Sequence, residues 1–232
     1  MRYLFLLLIF FVAIPASALT PNDFLLSEQW YLQPINAFDA WDQTTGSKNI
    51  VVAVIDSGLD LDHPDIKRNL WKNVHETPND GIDNDNNGFI DDYQGWDFVD
   101  DDKDVTPVTT GTYNQGAISH GTLVSGIIGS VTNNREGVAG LNWHVSLMPL
   151  RILDQLGLAN SFDATEAIDY AVENGADVIN LSFSGFEFDP QFEASVRRAY
   201  NQGVVIVAAV GNDSDGGINI NTEPIYPACF NG

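Results

Sequence analysis

Cysteine is almost missing: the 232 residues hold one, Cys229. A single thiol excludes a disulfide framework within the chain, and leaves Cys229 as a buried small hydrophobe or as half of a bridge to a cysteine outside this sequence. Basic residues are scarce as well, ten Lys and Arg against 32 Asp and Glu, for a net charge of −22. That balance argues against nucleic acid as a partner, because a polyanion would be repelled. Long hydrophobic runs are also lacking. The longest, residues 4–14, has eleven residues, well short of the roughly 20 that span a bilayer as a helix. It follows Arg2 and precedes "ASA" at 16–18, the pattern of a secretory signal peptide cut after Ala18. A chain that starts near Leu19, is exported, has no membrane attachment after signal removal and is monomeric is therefore expected.

What the sequence has in abundance is aspartate, unevenly placed. Residues 56–104 hold fourteen Asp and one Glu against Lys67, Arg68, Lys72 and Lys103. So acidic a stretch repels itself unless a cation sits in it. Within it, "DGIDNDNNGFIDD" (80–92) places Asp83, Asp85 and Asn87 at alternate positions. Gly88 follows for a sharp turn, then Phe89 as a backbone ligand and Asp91 where an EF-hand ligand would fall. Hard oxygen ligands at that spacing suit calcium. Gln94 stands where the bidentate Glu belongs, so Asp92 or a water must complete the shell. The alternative is a solvated acidic turn.

From residue 35 onward, helix-like and strand-like segments alternate. "INAFDAWDQTTG" (35–46) reads as a short helix and "NIVVAVID" (49–56) as a buried strand. "GTLVSGIIGSV" (121–131) carries a helical face of small residues, with His120 at its start, and "VSLMPLRIL" (145–153) is a strand. "SFDATEAIDYAVENGA" (161–176) is a helix capped by Ser161, with Phe162, Ile168 and Val172 on its apolar side, and ends at Gly175. The strand "DVINLSF" (177–183), the helix 190–203 and "VVIVAAVGN" (204–212), apolar enough for a central strand, complete the pattern. Strands joined by such helices predict a three-layer α/β, doubly wound, mostly parallel sheet, with working residues at the strands' carboxyl ends. Residues 1–18 form the expected signal peptide, 19–48 an N-terminal segment with the first helix, and 49–232 the main domain.

Three strands end on a polar residue: Asp56, Ser182 and Asn212. Each alone could be a turn-former. With His120 of "SHGT" (119–122) they compose a site, since a buried Asp at a strand end orients a His acting as general base. An Asn amide on a neighbouring loop donates to an oxyanion.

"VAVIDSGLDLDHPD" (52–65), "SHGTLVSGIIG" (119–129), "DVINLSFSG" (177–185) and "VVIVAAVGN" (204–212) resemble, in order, the signature blocks of subtilisin-like serine proteases. The resemblance covers the chain from about residue 22 to its end. It implies a secreted endopeptidase acting on peptide or protein substrates, with Asp56 and His120 as two members of the triad and Asn212 in the oxyanion hole. Ser182, Phe183, Ser184 and Gly185 are then implied as one wall of the substrate cleft, and Leu153 to Gly157 as the other. Leu123 replaces a second histidine common in the family, at a position expected to face the core. Phe183 and Ser184 replace a leucine and a glycine, which alters the pocket. A second calcium, held by Asp23, Asp65 and Asn134, is implied by the resemblance alone.

The "GTSMA"-like block that carries the family's nucleophilic serine is lacking. Ser119, Ser161, Ser182, Ser184 and Ser214 are poor substitutes: one adjoins His120, one caps a helix, two line the cleft and one follows Asn212 outside any helix start. The fold is thus expected to be incomplete at its carboxyl end, and the chain by itself inactive. The competing expectation is a non-catalytic exported module that keeps the fold for calcium-dependent binding.

Overall fold

The computed structural model describes residues 19–212 and 217–230. The expected signal segment, 1–18, and Ser214 lie outside the described residues. Among the described residues, five strands form one parallel sheet: β1 (Gly46–Asp56), β2 (Trp96–Asp97), β3 (His144–Arg151), β4 (Val178–Leu181) and β5 (Val205–Ala208), in the order β2-β3-β1-β4-β5. The helices are α1 (Ala37–Trp41), α2 (Gln115–Gly129), α3 (Ser161–Glu173) and α4 (Pro190–Asn201). From β1 the chain runs to the edge strand β2, returns with β3 between β2 and β1, then crosses to the other side of β1 for β4 and β5. The strand order therefore reverses at the carboxyl end of β1, where doubly wound sheets place their sites. Asp56 is the residue standing there.

Side-chain alternation along β1 explains the three layers. Ala53 and Ile55 point to one face, where they join Met148, Leu150, Ile179 and Leu181 beneath Ala167 and Ile168 of α3 and Phe192 and Ala199 of α4. Val52 and Val54 point to the other, against Val145, Leu147 and the inner side of α2 at Val124 and Ile128. A strand buried on both faces must be apolar throughout, as this one is from Val52 to Ile55. Truncating Ile55 or Leu150 to Ala would cost about 2–5 kcal/mol. A third cluster, Leu32, Ala37, Trp41, Ala139 and Trp143, fastens the N-terminal segment. The Trp41 indole N–H donates to the Leu141 carbonyl at 2.8 Å. Cys229 is half-buried, its Sγ accepting from the Ile225 amide at 3.4 Å.

Several local expectations give way to the structure. α2 begins five residues before His120, because the Asn114 side chain accepts from the Gly116 and Ala117 amides at 2.9 and 3.3 Å. Asn160, not Ser161, caps α3, accepting from the Asp163 amide at 2.9 Å, while the Ser161 hydroxyl turns to Asp189, itself the cap of α4. Such caps are worth about 1 kcal/mol each. Phe162 points outward, and the buried face of α3 is Ala164, Ala167, Ile168, Tyr170 and Ala171. Leu123 faces solvent at 64% exposure rather than the core. Among the described residues β5 is an edge strand, with Val205 and Val207 half exposed, not a central one. Also among the described residues, no helix is long and apolar enough to cross a membrane.

Candidate active site

Asp56, at the switch point, is 1% exposed, and its Oδ1 accepts from the Ser57 amide at 2.7 Å. His120 reaches it from the second turn of α2. The imidazole Nδ1 lies 2.9 Å from both Asp56 oxygens, while the side chain keeps 42% of its surface exposed. Gly121 makes the approach possible. A Cβ there would lie 2.2 Å from the Gly58 carbonyl oxygen and 3.2 Å from Asp56, so only glycine lets α2 close on the end of β1. The Gly121 amide also donates to the Ser57 hydroxyl at 3.1 Å. Backbone contacts tie one cleft wall to the same point: the Ile152 and Leu153 amides donate to the Asp56 carbonyl at 2.9 and 3.2 Å. Asn114, the cap of α2, donates its amide to the Gln155 carbonyl at 2.8 Å.

A cleft of about 560 Å³ collects Leu153 and Gly157 from one side and Phe183, Ser184 and Gly185 from the other. Ser182 is not among its lining residues; its hydroxyl accepts from the Asn180 amide group at 2.8 Å. Asn212 follows β5 on the same end of the sheet, exposed, and is likewise not in that lining. Sequence reasoning missed the aromatic part of the cleft. Phe186, Phe188, Phe192 and Tyr226 line it, and Gly185 and Tyr226 exchange backbone hydrogen bonds of 2.9 and 2.8 Å. Tyr226 lies 41 positions downstream of its partner, so no local pattern could announce the pairing. Ring contacts of 5.0 to 5.4 Å join Phe188, Tyr226, Phe230 and Phe192.

The acidic loop is organised from within. Asp83 accepts from the Asn87 amide at 3.1 Å and the Gly88 amide at 2.8 Å, with Gly88 at φ +98°, a conformation suited to glycine. The Phe89 ring anchors the loop on Trp96 and Tyr170, at 5.1 and 4.9 Å between centroids. Asp92 is fully buried and accepts from Asn73, Asn87 and the Tyr170 hydroxyl, the last at 2.6 Å. Burial pushes its carboxyl up against those hydrogen bonds, and burial and Asp92 together push the Tyr170 hydroxyl up. Asn87 offers Asp85 and Asp92 its amide nitrogen, while its oxygen accepts from the Phe89 amide. Asp91 departs from the EF-hand-like expectation. It accepts from the Asp80 and Gly81 amides and from Lys103 at 2.8 Å, and the lysine holds its carboxyl below the usual range. The carboxylate that joins Asp83 and Asp85 is Glu76, with ligand-type oxygens of all three within 4.8 Å of one another. Glu76 stands seven positions before Asp83, outside any loop spacing.

Asp23, Asp65 and Asn134 come together across the sequence. Asp23 accepts from the Asn133 and Asn134 amides at 2.8 and 3.4 Å, and Asp65 from the Asn134 side chain at 2.7 Å and the Val138 amide at 2.9 Å. Gly137 presses so closely that a Cβ would lie 2.2 Å from an Asp65 oxygen. Burial, and to a lesser degree the Asp65 charge, pushes the Asp23 carboxyl up. Two buried carboxylates without a Lys or Arg partner among the described residues suit a hard cation.

Comparison with known proteins places the chain and its fold. The Subtilase family model matches residues 47–232. The chain is 34% identical over 210 residues to a halolysin-like extracellular serine protease of Natrialba magadii, covering 90% of this chain and 33% of that protein. It is 34% identical over 212 residues to thermitase of Thermoactinomyces vulgaris, covering 91% of the chain and 62% of the relative. Among solved structures, a protease from Pseudoalteromonas arctica superposes with a TM-score of 0.66 at 30% identity, covering 84% of this chain and 60% of that one. Fervidolysin from Fervidobacterium pennivorans, at 24% identity and a TM-score of 0.64, covers 89% and 27% and shares the fold. The chain thus spans from a third to just over three fifths of the length of these two curated relatives. With a family match over most of its length and a parallel sheet shared with solved proteases, this chain belongs to the subtilase family of serine proteases.

Proposed function

We propose that the chain is the amino-terminal part of an exported, subtilisin-like serine endopeptidase that hydrolyses peptide bonds through an acyl-enzyme. One observation carries the reading: a half-exposed imidazole, His120, held through Nδ1 by both oxygens of a buried carboxylate, Asp56. A carboxylate in that position calls for the proton on Nδ1 and leaves the Nε2 lone pair free to act as base. The base takes the proton of a serine hydroxyl as its oxygen attacks the scissile carbonyl, and Asp56 stabilises the resulting imidazolium. The imidazolium then protonates the leaving amine, and water releases the acyl group by the same route. Asn212 donates its side-chain amide to the developing oxyanion, a contribution of about 3–4 kcal/mol where such a donor has been removed.

Among the described residues no hydroxyl hydrogen-bonds His120. Ser119 is turned to the Gln115 carbonyl, Ser161 to Asp189 and Ser182 to Asn180. The nucleophile is accordingly assigned to sequence following residue 232 in a longer protein, in keeping with the greater length of the relatives. Export rests on the segment 1–18, with cleavage after Ala18. Peptides are expected to lie along Phe183, Ser184 and Gly185 on one side and Leu153 and Gly157 on the other. Calcium serves as a structural cation, one ion held by Asp23, Asp65 and Asn134 and another at the loop of Asp83 and Asp85, each stabilising by mass action. Labelling with a serine-directed fluorophosphonate tests the reading: the longer protein is labelled and its His120→Ala variant is not, while residues 1–232 alone stay unlabelled. Labelling of the 232-residue chain would overturn the assignment of the nucleophile.

A further inference from the structure

We infer that Asn114 is a positioning residue for the Asp56–His120 pair: it fastens the start of α2, and with it His120, to the cleft wall at Leu153–Gly157, so that a peptide seated on that wall steadies the imidazole. The inference rests on the protease reading of the site and adds a residue that acts on His120 through the helix. The first amides of a helix find no carbonyl within it, and that end frays unless another group accepts from them. In α2 this end lies directly before His120, since the helix starts at Gln115. The Asn114 side chain is the acceptor, taking the Gly116 and Ala117 amides at 2.9 and 3.3 Å. Its backbone amide donates to the Gln155 carbonyl at 2.8 Å. One residue thus holds helix and wall together.

The wall is itself tightly turned. Asp154 Oδ1 accepts from the Leu156 and Leu158 amides at 2.8 and 2.9 Å, and the Gly157 amide donates to the Asp154 carbonyl at 3.0 Å. Just upstream, the Ile152 and Leu153 amides donate to the Asp56 carbonyl. The contacts close a ring, from Asp56 through Leu153 and the 154–158 turn to Asn114, along α2 to His120, and back to Asp56 through Nδ1. A further contact braces it. Gly157, at φ +85°, comes so near α2 that a Cβ on it would lie 3.0 Å from the Ala117 Cβ, and Ala117 shares a helix face with His120, three residues on. Because 42% of the His120 side chain is exposed, packing alone does not hold the ring, and the aim of Nε2 follows the backbone that carries it.

Steady-state hydrolysis by the longer protein tests this, using an extended peptide that reaches the wall and a single-residue amide that does not. Asn114→Ala is expected to lower kcat on the extended peptide about tenfold with KM unchanged, between what a lost helix cap and an ångström of misplacement are worth. The loss on the amide should be smaller, so the ratio of the two kcat values falls. Asn114→Asp keeps an acceptor for both amides and should restore kcat and ratio. A cap that merely stabilised the fold would lower the thermal midpoint and leave both values, read well below that midpoint, unchanged. That result, or a loss that Asn114→Asp fails to restore, overturns the inference. If Asn114→Ala does not fold, judged by near-ultraviolet circular dichroism, Asn114→Gly removes the same acceptor at lower cost to the helix and the same results decide. No hydrolysis of either substrate by the unmutated longer protein overturns the protease reading itself, whereas hydrolysis that these variants leave untouched overturns this inference alone.

Discussion

The carboxyl end of the sheet and the 76–92 loop both bury acids, and they neutralise them differently. At the sheet end each buried acid meets a base from the adjoining element. Asp56 meets His120 of α2, and Asp97 of β2 meets Arg151 of β3, which also binds Asp100 at 2.7 Å. Arg151 is itself buried at 1% exposure and sits in register with Asp56. Burial works against its charge, but Asp100 and Asp97 more than offset that and raise its pKa. In the loop, Glu76, Asp83, Asp85 and Asp92 meet amides, a phenol and one another. A site carrying its own countercharge answers to mutation. A site lacking one answers to the solution around it.

That contrast can be broken in four ways, from the largest effect to the smallest. In the longer protein, Asp56→Ala or His120→Ala is expected to lower kcat by about 10⁴-fold with the fold intact, measured by peptide hydrolysis; retained turnover would remove both residues from catalysis. Arg151→Met strands the buried Asp97 and should destabilise by about 3–5 kcal/mol, read from urea unfolding with calcium present throughout. Equal loss in the Asp97→Asn, Arg151→Met pair would show that the ion pair was not the cause. Chelation should lower the thermal midpoint, and calcium at 100 times its dissociation constant should restore about 2.7 kcal/mol per site. A midpoint indifferent to calcium would erase the difference between the two regions. Lys103→Ala, which removes a half-exposed partner of Asp91, should leave the midpoint unchanged within error, since surface pairs contribute little.

Much of the sheet was legible because its strands are buried on both faces, and continuous apolar runs such as Val52 to Ile55 permit little else. Asp56 and His120 were legible because a polar residue ending such a run, and a histidine beside a glycine, are local signals. Where local signals compete, the sequence misled. Ser161 and Asn160 are both able caps, and only the position of Asp189 across the α3–α4 interface drew the serine away. Leu123 reads as a core residue by hydrophobicity, yet its position on α2 turns it to solvent. Asp91 fits a ligand spacing, but Lys103, twelve positions on, claimed it.

By itself the sequence determined what depends on near neighbours: alternation along strands, helix periodicity, the turn at Gly88, the acidic surplus and the order of the family blocks. The tertiary structure alone decided which distant groups meet. Glu76 joined Asp83 and Asp85, Tyr226 paired with Gly185, Asp23 came beside Asp65, and Arg151 was buried between Asp97 and Asp100. The physical reason is range. Backbone preference and side-chain pattern act over a few residues, whereas charge compensation and desolvation act through space, on partners chosen only when the sheet closes.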